Sequence, residues 1–68
     1  MRVENKITAE GLVLKSEVVL SKAQAWRLIT QGGFGIDGKA IKNPKEEIVF
    51  KGGEVAKIGK KSFFRIEI

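Results

Sequence analysis

The sequence predicts an α+β protein in which two short helices pack on a small antiparallel sheet. Two helical segments, each preceded by a capping residue, lie within the first 30 residues, and the pair Gly32-Gly33 ends the second of them. The second half alternates short apolar segments with glycine turns, which indicates strands. With 68 residues, 43% of them hydrophobic, and one proline, residues 1–68 have the size and composition of a single globular domain.

The first helix is predicted over residues 8–15, T-A-E-G-L-V-L-K, with Thr8 as its N-cap. Glu10 lies in the first turn, where the positive end of the helix dipole favours a negative charge. A glycine and a β-branched valine lower the intrinsic helix propensity, so tertiary packing has to stabilise this helix. The apolar run Val18 to Leu20 is expected to bring the chain into the core before the second helix.

The second helix is predicted to begin after Ser21. A serine with a glutamine three residues later forms a capping box, in which both side chains accept hydrogen bonds from backbone donors left open at the helix start. A wheel of about 100° per residue places Ala25, Leu28 and Ile29 on the buried side and Arg27 on the opposite side, in solvent.

Asp37-Gly38 predicts a hairpin, because this dipeptide suits a two-residue type I′ turn between a strand at Phe34 to Ile36 and a return through residues 39–42. Asn43-Pro44 ends the returning strand. Residues 48–50 form another short apolar segment, and further strands are predicted at residues 54–58 and after a turn at residues 59–61.

The final strand alternates cleanly between two faces. One face carries Phe64, Ile66 and Ile68, and the other carries Phe63, Arg65 and Glu67.

Residue types that the chain lacks exclude several kinds of function. It has no cysteine and no histidine, so disulfides, thiolate metal sites and the commonest general base are all absent. We therefore expect no metal, no cofactor and no enzymatic activity of this chain alone. No stretch resembles a signal peptide or approaches the roughly 20 apolar residues of a membrane span, so a cytoplasmic protein without a membrane partner is expected.

Two glycine patterns resemble nucleotide-binding motifs by coincidence. Residues 33–38 spell G-x-G-x-x-G, and residues 33–39 spell G-x-x-x-x-G-K. Such loops bind phosphate only where they leave a strand and open a helix, whereas these glycines follow a helix and enter a hairpin. Ala40 also stands where a magnesium-binding hydroxyl would be needed. A nucleotide site is therefore not predicted.

Positive charge is concentrated in the middle of the chain. Between residues 20 and 45, five bases stand against the single acid Asp37, which gives +4 of the net charge of +5. The bases are Lys22, Arg27, Lys39, Lys42 and Lys45. Neutralising phosphates and releasing their counterions supplies most sequence-independent affinity for nucleic acid, so this region is the candidate surface for a polyanion.

Three further features have a structural and a functional interpretation. Trp26 is either a lid on the edge of the core or an exposed surface on which a base stacks, and the first is favoured because a small core gains much from one indole. Lys60-Lys61 is either a solubilising turn or a phosphate contact. Glu46-Glu47 is interpreted as a pair of solvated loop charges.

These residues resemble the alpha-L RNA-binding motif, named for the fourth protein of the small ribosomal subunit. The match comprises Ser21-Lys22, Ala25, Arg27-Leu28-Ile29, Gln31-Gly32-Gly33 and Asp37-Gly38. The C-terminal segments of the chain indicate a narrower family. Gly53-Glu54-Val55, Ile58-Gly59-Lys60-Lys61 and Phe63-Phe64-Arg65-Ile66 are similar to the close of the carboxy-terminal domain of bacterial-type tyrosyl-tRNA synthetases. The resemblance extends over roughly residues 8–68.

The resemblance implies binding to structured RNA, namely tyrosine tRNA near its anticodon stem and long variable arm. It also implies that this chain is part of a longer synthetase, whose separate catalytic domain would bind ATP and tyrosine. The RNA-contacting residues that we expect are Lys22, Trp26, Arg27, Gln31, Gly32, Gly33, Lys39 and Lys42, with Lys39 and Lys42 across a groove from Arg27, and with the glycine backbone bonding RNA directly.

Three positions depart from the family pattern. Trp26 stands where an arginine is common, Thr30 where a lysine is common and Asp37 where an asparagine is common, and each change makes the expected RNA face less positive. Two alternatives stay open. One is a free-standing alpha-L protein on ribosomal RNA, or a domain of an RNA-modifying enzyme. The other is a protein-interaction module that uses the Phe63 side of the last strand.

Overall fold

The computed structural model describes all 68 residues and has the α+β architecture that the sequence predicts. Its elements in chain order are β1 (Lys6–Thr8), α1 (Ala9–Lys15), α2 (Lys22–Thr30), β2 (Phe34–Ile36), β3 (Lys39–Ala40), β4 (Glu47–Val49), β5 (Val55–Ile58) and β6 (Ser62–Arg65). Strands β3-β2-β5-β6 form an antiparallel sheet, and β1 and β4 form a separate two-stranded one. Neither helix has the length and apolar character needed to cross a membrane.

The core is one cluster of eleven buried hydrophobic residues, contributed by both helices, by strands β2 and β5 and by three residues outside the regular elements. Its members are Val3, Ala9, Leu12, Val13, Ala25, Ile29, Phe34, Phe50, Ala56, Ile58 and Ile66. Because alternate residues of a strand point to opposite faces, Ala56 and Ile58 fill the core while Val55 and Lys57 point away from it. The four-stranded sheet therefore has one covered face and one open face.

Both helices begin at the predicted caps. The Thr8 hydroxyl accepts a hydrogen bond from the backbone N–H of Gly11 at 3.1 Å, and the Ser21 hydroxyl accepts one from Gln24 at 3.2 Å. The capping box of α2 differs in one respect. The Gln24 side-chain oxygen accepts from the backbone N–H of Leu20 at 3.0 Å, one residue before the cap. The local sequence thus fixes where each helix starts.

The predicted end of α2 is also confirmed, as a Schellman motif. Gly32 has a φ of 81°, a left-handed conformation that glycine adopts without strain. Its N–H donates to the Ile29 carbonyl at 3.0 Å, and the N–H of Gly33 donates to the Leu28 carbonyl at 2.9 Å. These two bonds satisfy carbonyls that the helix end would otherwise leave open.

The hairpin at Asp37-Gly38 has the predicted turn. Both central residues have positive φ, 50° at Asp37 and 85° at Gly38, as a type I′ turn requires. The returning strand is shorter than expected and ends at Ala40. A Cβ at Gly35 would lie 2.8 Å from the Lys39 carbonyl oxygen, so the two strands approach closely because this residue has no side chain.

One expectation about the apolar segments is wrong, and one strand was missed. The run Val18 to Leu20 does not enter the core as a unit, because Leu20 is 88% exposed and only Val19 packs against the core. The chain turns at Glu17, which has a φ of 63°, and the Leu20 N–H is held by the helix cap outside the helix. Strand β1 was not predicted, and it pairs with β4 about 40 residues later.

The final strand alternates as predicted over most of its length. Phe64 and Ile66 point towards the core, and Phe63 and Arg65 point to the open face. Ile68 is the exception. It is 49% exposed, because it lies beyond the end of β6 and beyond the bridge between Arg2 and Glu67.

Candidate nucleic-acid interface

A groove lies between the C-terminal half of α2 and the turn that joins β5 to β6. We call it the helix-side groove. It encloses about 610 Å³, and its cationic residues are Arg27, Lys57 and Lys60. The remaining lining residues are Val18, Val19, Gln24, Leu28, Gln31, Gly32, Gly33 and Gly59. No aspartate or glutamate lines this groove, so its charge is entirely positive.

Regular periodicity places two of the three cations. Arg27 lies on the face of α2 opposite Ala25 and Ile29, which are buried, and its side chain is exposed. Lys57 lies between the buried residues Ala56 and Ile58 of β5, so strand alternation directs it to the open face. The periodicities of α2 and β5 therefore direct Arg27 and Lys57 to the same groove.

The third cation is held by the turn between β5 and β6. Gly59 has a φ of 79°, and its N–H donates to the Gly33 carbonyl at 2.7 Å. This bond ties the turn to the end of α2, and it brings Lys60 to the rim of the groove opposite the helix. Gly33, the second glycine after the end of α2, thus anchors the turn that forms the other wall.

The cations of the helix-side groove have no acidic partner. The two ion pairs of the molecule lie elsewhere, Lys6 with Glu47 at 3.5 Å and Lys22 with Glu10 at 3.6 Å. Unpaired cations lining one concavity reinforce each other's potential and attract a polyanion more strongly than isolated surface charges do.

A second hollow adjoins the first on the open face of the four-stranded sheet. We call it the sheet-side groove. It encloses about 530 Å³ and shares Gly32, Gly33 and Lys57 with the helix-side groove. Lys39 and Phe63 line it as well. Its single acid is Asp37, whose carboxylate accepts a hydrogen bond from the backbone N–H of Val55 at 2.9 Å and so links β2 to β5.

The predicted contact residues divide between these surfaces. Arg27, Gln31, Gly32 and Gly33 line the helix-side groove, and Lys39 lines the sheet-side groove. Lys42 lines neither groove and shares a hollow with Glu46 and Glu54, but its side chain also reaches the end of α2, where its Cε lies 3.6 Å from the position of a Cβ on Gly32. Neither Lys39 nor Lys42 lines the groove that contains Arg27, whereas the sequence analysis placed both across a groove from it. The hairpin of β2 and β3 forms one edge of the four-stranded sheet, and the cations that line the groove together with Arg27 are Lys57 and Lys60.

The backbone N–H groups of Gly32 and Gly33 are used within the fold, and contact of this backbone with RNA stays a prediction. Both N–H groups donate to carbonyls of α2, and the Gly33 carbonyl accepts from Gly59. A Cβ on Gly33 would lie 3.1 Å from the Leu28 carbonyl oxygen, so this residue also permits close packing. Because Gly32 and Gly33 have no side chains, they leave space in both grooves. Their N–H groups already have partners and are not free to bond a ligand.

Trp26 and Lys22 lie apart from both grooves. The half-buried indole donates a hydrogen bond from its Nε1 to the Glu10 carboxylate, which also pairs with Lys22. The Lys45 ammonium lies 5.7 Å from the ring centroid. The indole is not among the residues that pack against the core cluster, so neither of the two interpretations left open by the sequence is confirmed.

Sequence reasoning missed Lys57. Its signal was the alternation of V-A-K-I in β5, which marks it as an outward-facing residue, but its proximity to α2 depends on how the sheet packs. Lys60, interpreted from sequence as either a solubilising turn residue or a phosphate contact, lies in the groove.

The fold and the groove define a class, that of small α+β domains that present unpaired cations on a helix and a neighbouring hairpin. No family model matches the chain. Comparison with curated proteins finds tyrosine-tRNA ligases. That of Aquifex aeolicus is 38% identical over 63 residues, 93% of this chain and 16% of the ligase. Those of Symbiobacterium thermophilum and Bdellovibrio bacteriovorus are 41% and 34% identical over 63 and 70 residues, 93% and 100% of this chain.

The chain belongs to the tyrosine-tRNA ligase family, as a domain similar to one short segment of these proteins. It spans only 15% to 17% of the length of these three relatives. The family recognised from the helix pattern and the final strand is thereby confirmed.

Proposed function

We propose that the helix-side groove binds the sugar-phosphate backbone of structured RNA, and that this RNA is tyrosine tRNA, held near its anticodon stem and long variable arm. The observation that carries the proposal is the convergence of Arg27, Lys57 and Lys60 on one groove without an acid among its lining residues. The similarity to tyrosine-tRNA ligases supports tyrosine tRNA as the RNA.

The groove suits recognition by shape and charge. The deep, narrow major groove of an A-form helix is closed to side chains, so double-stranded RNA is bound mainly through phosphates and 2′-hydroxyls. Arg27 offers a planar guanidinium that can hold a phosphate with two hydrogen bonds, whereas Lys57 and Lys60 act as point charges. The amide of Gln31 can bond a 2′-hydroxyl as donor or acceptor.

Under this proposal the chain supplies affinity and orientation, and it takes no part in the chemical step. Joining tyrosine to tRNA, with ATP consumed, would take place in a separate catalytic domain of the parent ligase. The chain would then position the tRNA relative to that domain.

A salt titration tests the proposal. The chain is titrated into labelled tyrosine tRNA and into the same tRNA with its variable arm shortened, between 50 and 200 mM salt. Three phosphate contacts predict a loss of affinity of about 20- to 40-fold over that range. Weaker binding to the shortened tRNA is expected as well. Affinity that does not change with salt, or an absence of binding at 50 mM, would refute the proposal.

A further inference from the structure

Three residues form a row across the open face of the four-stranded sheet. Gly35 of β2 stands opposite Lys57 of β5, and Lys57 stands opposite Phe63 of β6. Residues directly opposite each other on one face have Cβ atoms about 5 Å apart, so the Phe63 ring and the Lys57 stem are neighbours. Phe63 is 62% exposed, although a small core would gain from burying another aromatic ring.

Gly35 keeps the space beside Lys57 open. A side chain at this position would collide with the Lys39 backbone, so none projects from β2 over the sheet. The resulting hollow is the sheet-side groove, whose volume of about 530 Å³ falls within the range of roughly 300–1,000 Å³ for small-ligand sites. Phe63, Lys57 and Lys39 all line it, so one aromatic and two basic residues border the same hollow.

We propose that the sheet-side groove holds one unpaired nucleotide of the bound RNA, with its base stacked on Phe63 and its phosphate on Lys57 and Lys39. The proposal rests on the RNA-binding function proposed above. Every base has a π-face that can stack on an aromatic ring, and an adjacent cation neutralises the phosphate that follows. Sequence-specific contacts to RNA are made mostly with unstacked bases of this kind.

Continuity and charge favour a nucleotide over a protein segment. Lys57 lines both grooves, so a backbone bound along the helix-side groove passes directly to the sheet-side groove. The one carboxylate in the hollow, that of Asp37, accepts a hydrogen bond from the backbone N–H of Val55. It forms no ion pair with either lysine of the hollow. Cores of protein-protein interfaces are instead depleted in lysine.

The test compares two RNA hairpins of equal stem length, one fully paired and one with a single-nucleotide bulge. We expect the unaltered chain to bind the bulged hairpin more tightly. Phe63→Ala should weaken binding to the bulged hairpin by about 5- to 150-fold, which is the range that loss of one base-aromatic stack produces. Binding to the paired hairpin should stay within twofold.

Matched variants separate stacking from folding. Phe63→Leu keeps an apolar strand residue and removes the ring, so it should behave as Phe63→Ala does, whereas Phe63→Tyr should bind as the unaltered chain does. Val49→Ala removes exposed apolar surface from β4, outside both grooves, and should have no effect. Thermal unfolding of each variant shows that it is folded at the assay temperature.

The outcomes distinguish this proposal from the proposed function. If both hairpins bind with steep salt dependence and Phe63→Leu changes neither affinity, the nucleotide site is refuted and the helix-side groove stands. If neither hairpin nor tRNA binds at 50 mM salt, both proposals are refuted. If Phe63→Leu instead abolishes self-association detected by sedimentation while RNA affinity is unchanged, the face is a protein interface and the nucleotide proposal is wrong.

Discussion

The Trp26 indole N–H donates a hydrogen bond to the carboxylate of Glu10 and so joins α2 to α1. The Lys22 ammonium lies 3.6 Å from the same carboxylate. A partly buried carboxylate costs free energy unless it is bonded and paired, and here it is both. Two residues expected to contact RNA, Trp26 and Lys22, are therefore held by contacts between the two helices.

Replacing the indole should reduce stability without affecting RNA binding. Trp26→Phe keeps an aromatic ring but removes the donor to Glu10, so we expect the free energy of unfolding to fall by about 1–3 kcal/mol. Urea denaturation measures this loss. Glu10→Gln keeps an acceptor for the indole and should cost less. The prediction is contradicted if Trp26→Phe unfolds like the parent chain but binds tRNA more weakly, because the indole would then contact RNA.

Local signals were sufficient to predict the second helix and the hairpin. The cap at Ser21, the Schellman end at Gly32 and the turn at Asp37-Gly38 each depend on residues at most five positions apart. Such features are determined by backbone conformations that few residue types tolerate. Their positions could therefore be predicted from the sequence.

Features that depend on distant residues were missed or misplaced. Strand β1 has three residues and exists because it pairs with β4, some 40 positions later. The neighbours of Arg27 were misassigned because the packing of β5 beside α2, which brings Lys57 to the groove, has no local signal. Lys22 pairs with Glu10, 12 positions earlier, for the same reason. The direction of the Arg27 side chain could be predicted from helix periodicity. The residues on the other side of its groove could not.

The α2 cap predicts a stability effect separable from binding. Ser21→Ala removes the acceptor of the Gln24 N–H and should lower the free energy of unfolding by about 0.5–2 kcal/mol. Thr30→Ala is the matched control, because its hydroxyl bonds only to the Arg27 carbonyl within the same helix. Thermal unfolding followed by circular dichroism measures both. An equal melting temperature for the two variants would show that the cap is not required.

Glu54 predicts a pH dependence. Its carboxylate accepts hydrogen bonds from the backbone N–H groups of Lys51 and Gly52, both at 2.8 Å. The bond from Lys51 is the main cause that lowers the pKa of Glu54 in the folded chain, with the bond from Gly52 adding to it. An unfolded chain therefore binds the proton more readily, and the stabilisation is present above the ordinary glutamate pKa of about 4.3.

Stability should consequently fall as pH decreases from about 5 through the lowered pKa of Glu54. Glu54→Gln cannot titrate and should show a weaker dependence on pH in urea denaturation between pH 7 and pH 3. Glu46→Gln is the control, because Glu46 is exposed and forms no ion pair. Parallel pH profiles for the parent chain and Glu54→Gln would contradict the prediction.

Arg27 should matter for binding and not for folding. Its side chain is exposed and forms no ion pair, so Arg27→Ala should change the free energy of unfolding by less than about 0.5 kcal/mol. Losing one phosphate contact should weaken tRNA binding and reduce the salt slope by about one unit. Lys6→Ala removes the same net charge from β1, outside both grooves, and should leave the slope unchanged. Equal slopes for the two variants would mean that net charge alone governs affinity.

Alanine variants of Lys60 and Lys42 distinguish two candidate RNA surfaces, the helix-side groove and the hairpin of β2 and β3. The sequence analysis expects Lys42 to contact RNA, whereas in the structure Lys60 lines the groove with Arg27 and Lys42 lines a hollow with Glu46 and Glu54. Both lysines are exposed, so each alanine variant should fold normally. We expect Lys60→Ala to reduce the salt slope of tRNA binding by about one unit and Lys42→Ala to change it less. The reverse order, measured by titration at several salt concentrations, would place the RNA on the hairpin and contradict the helix-side groove.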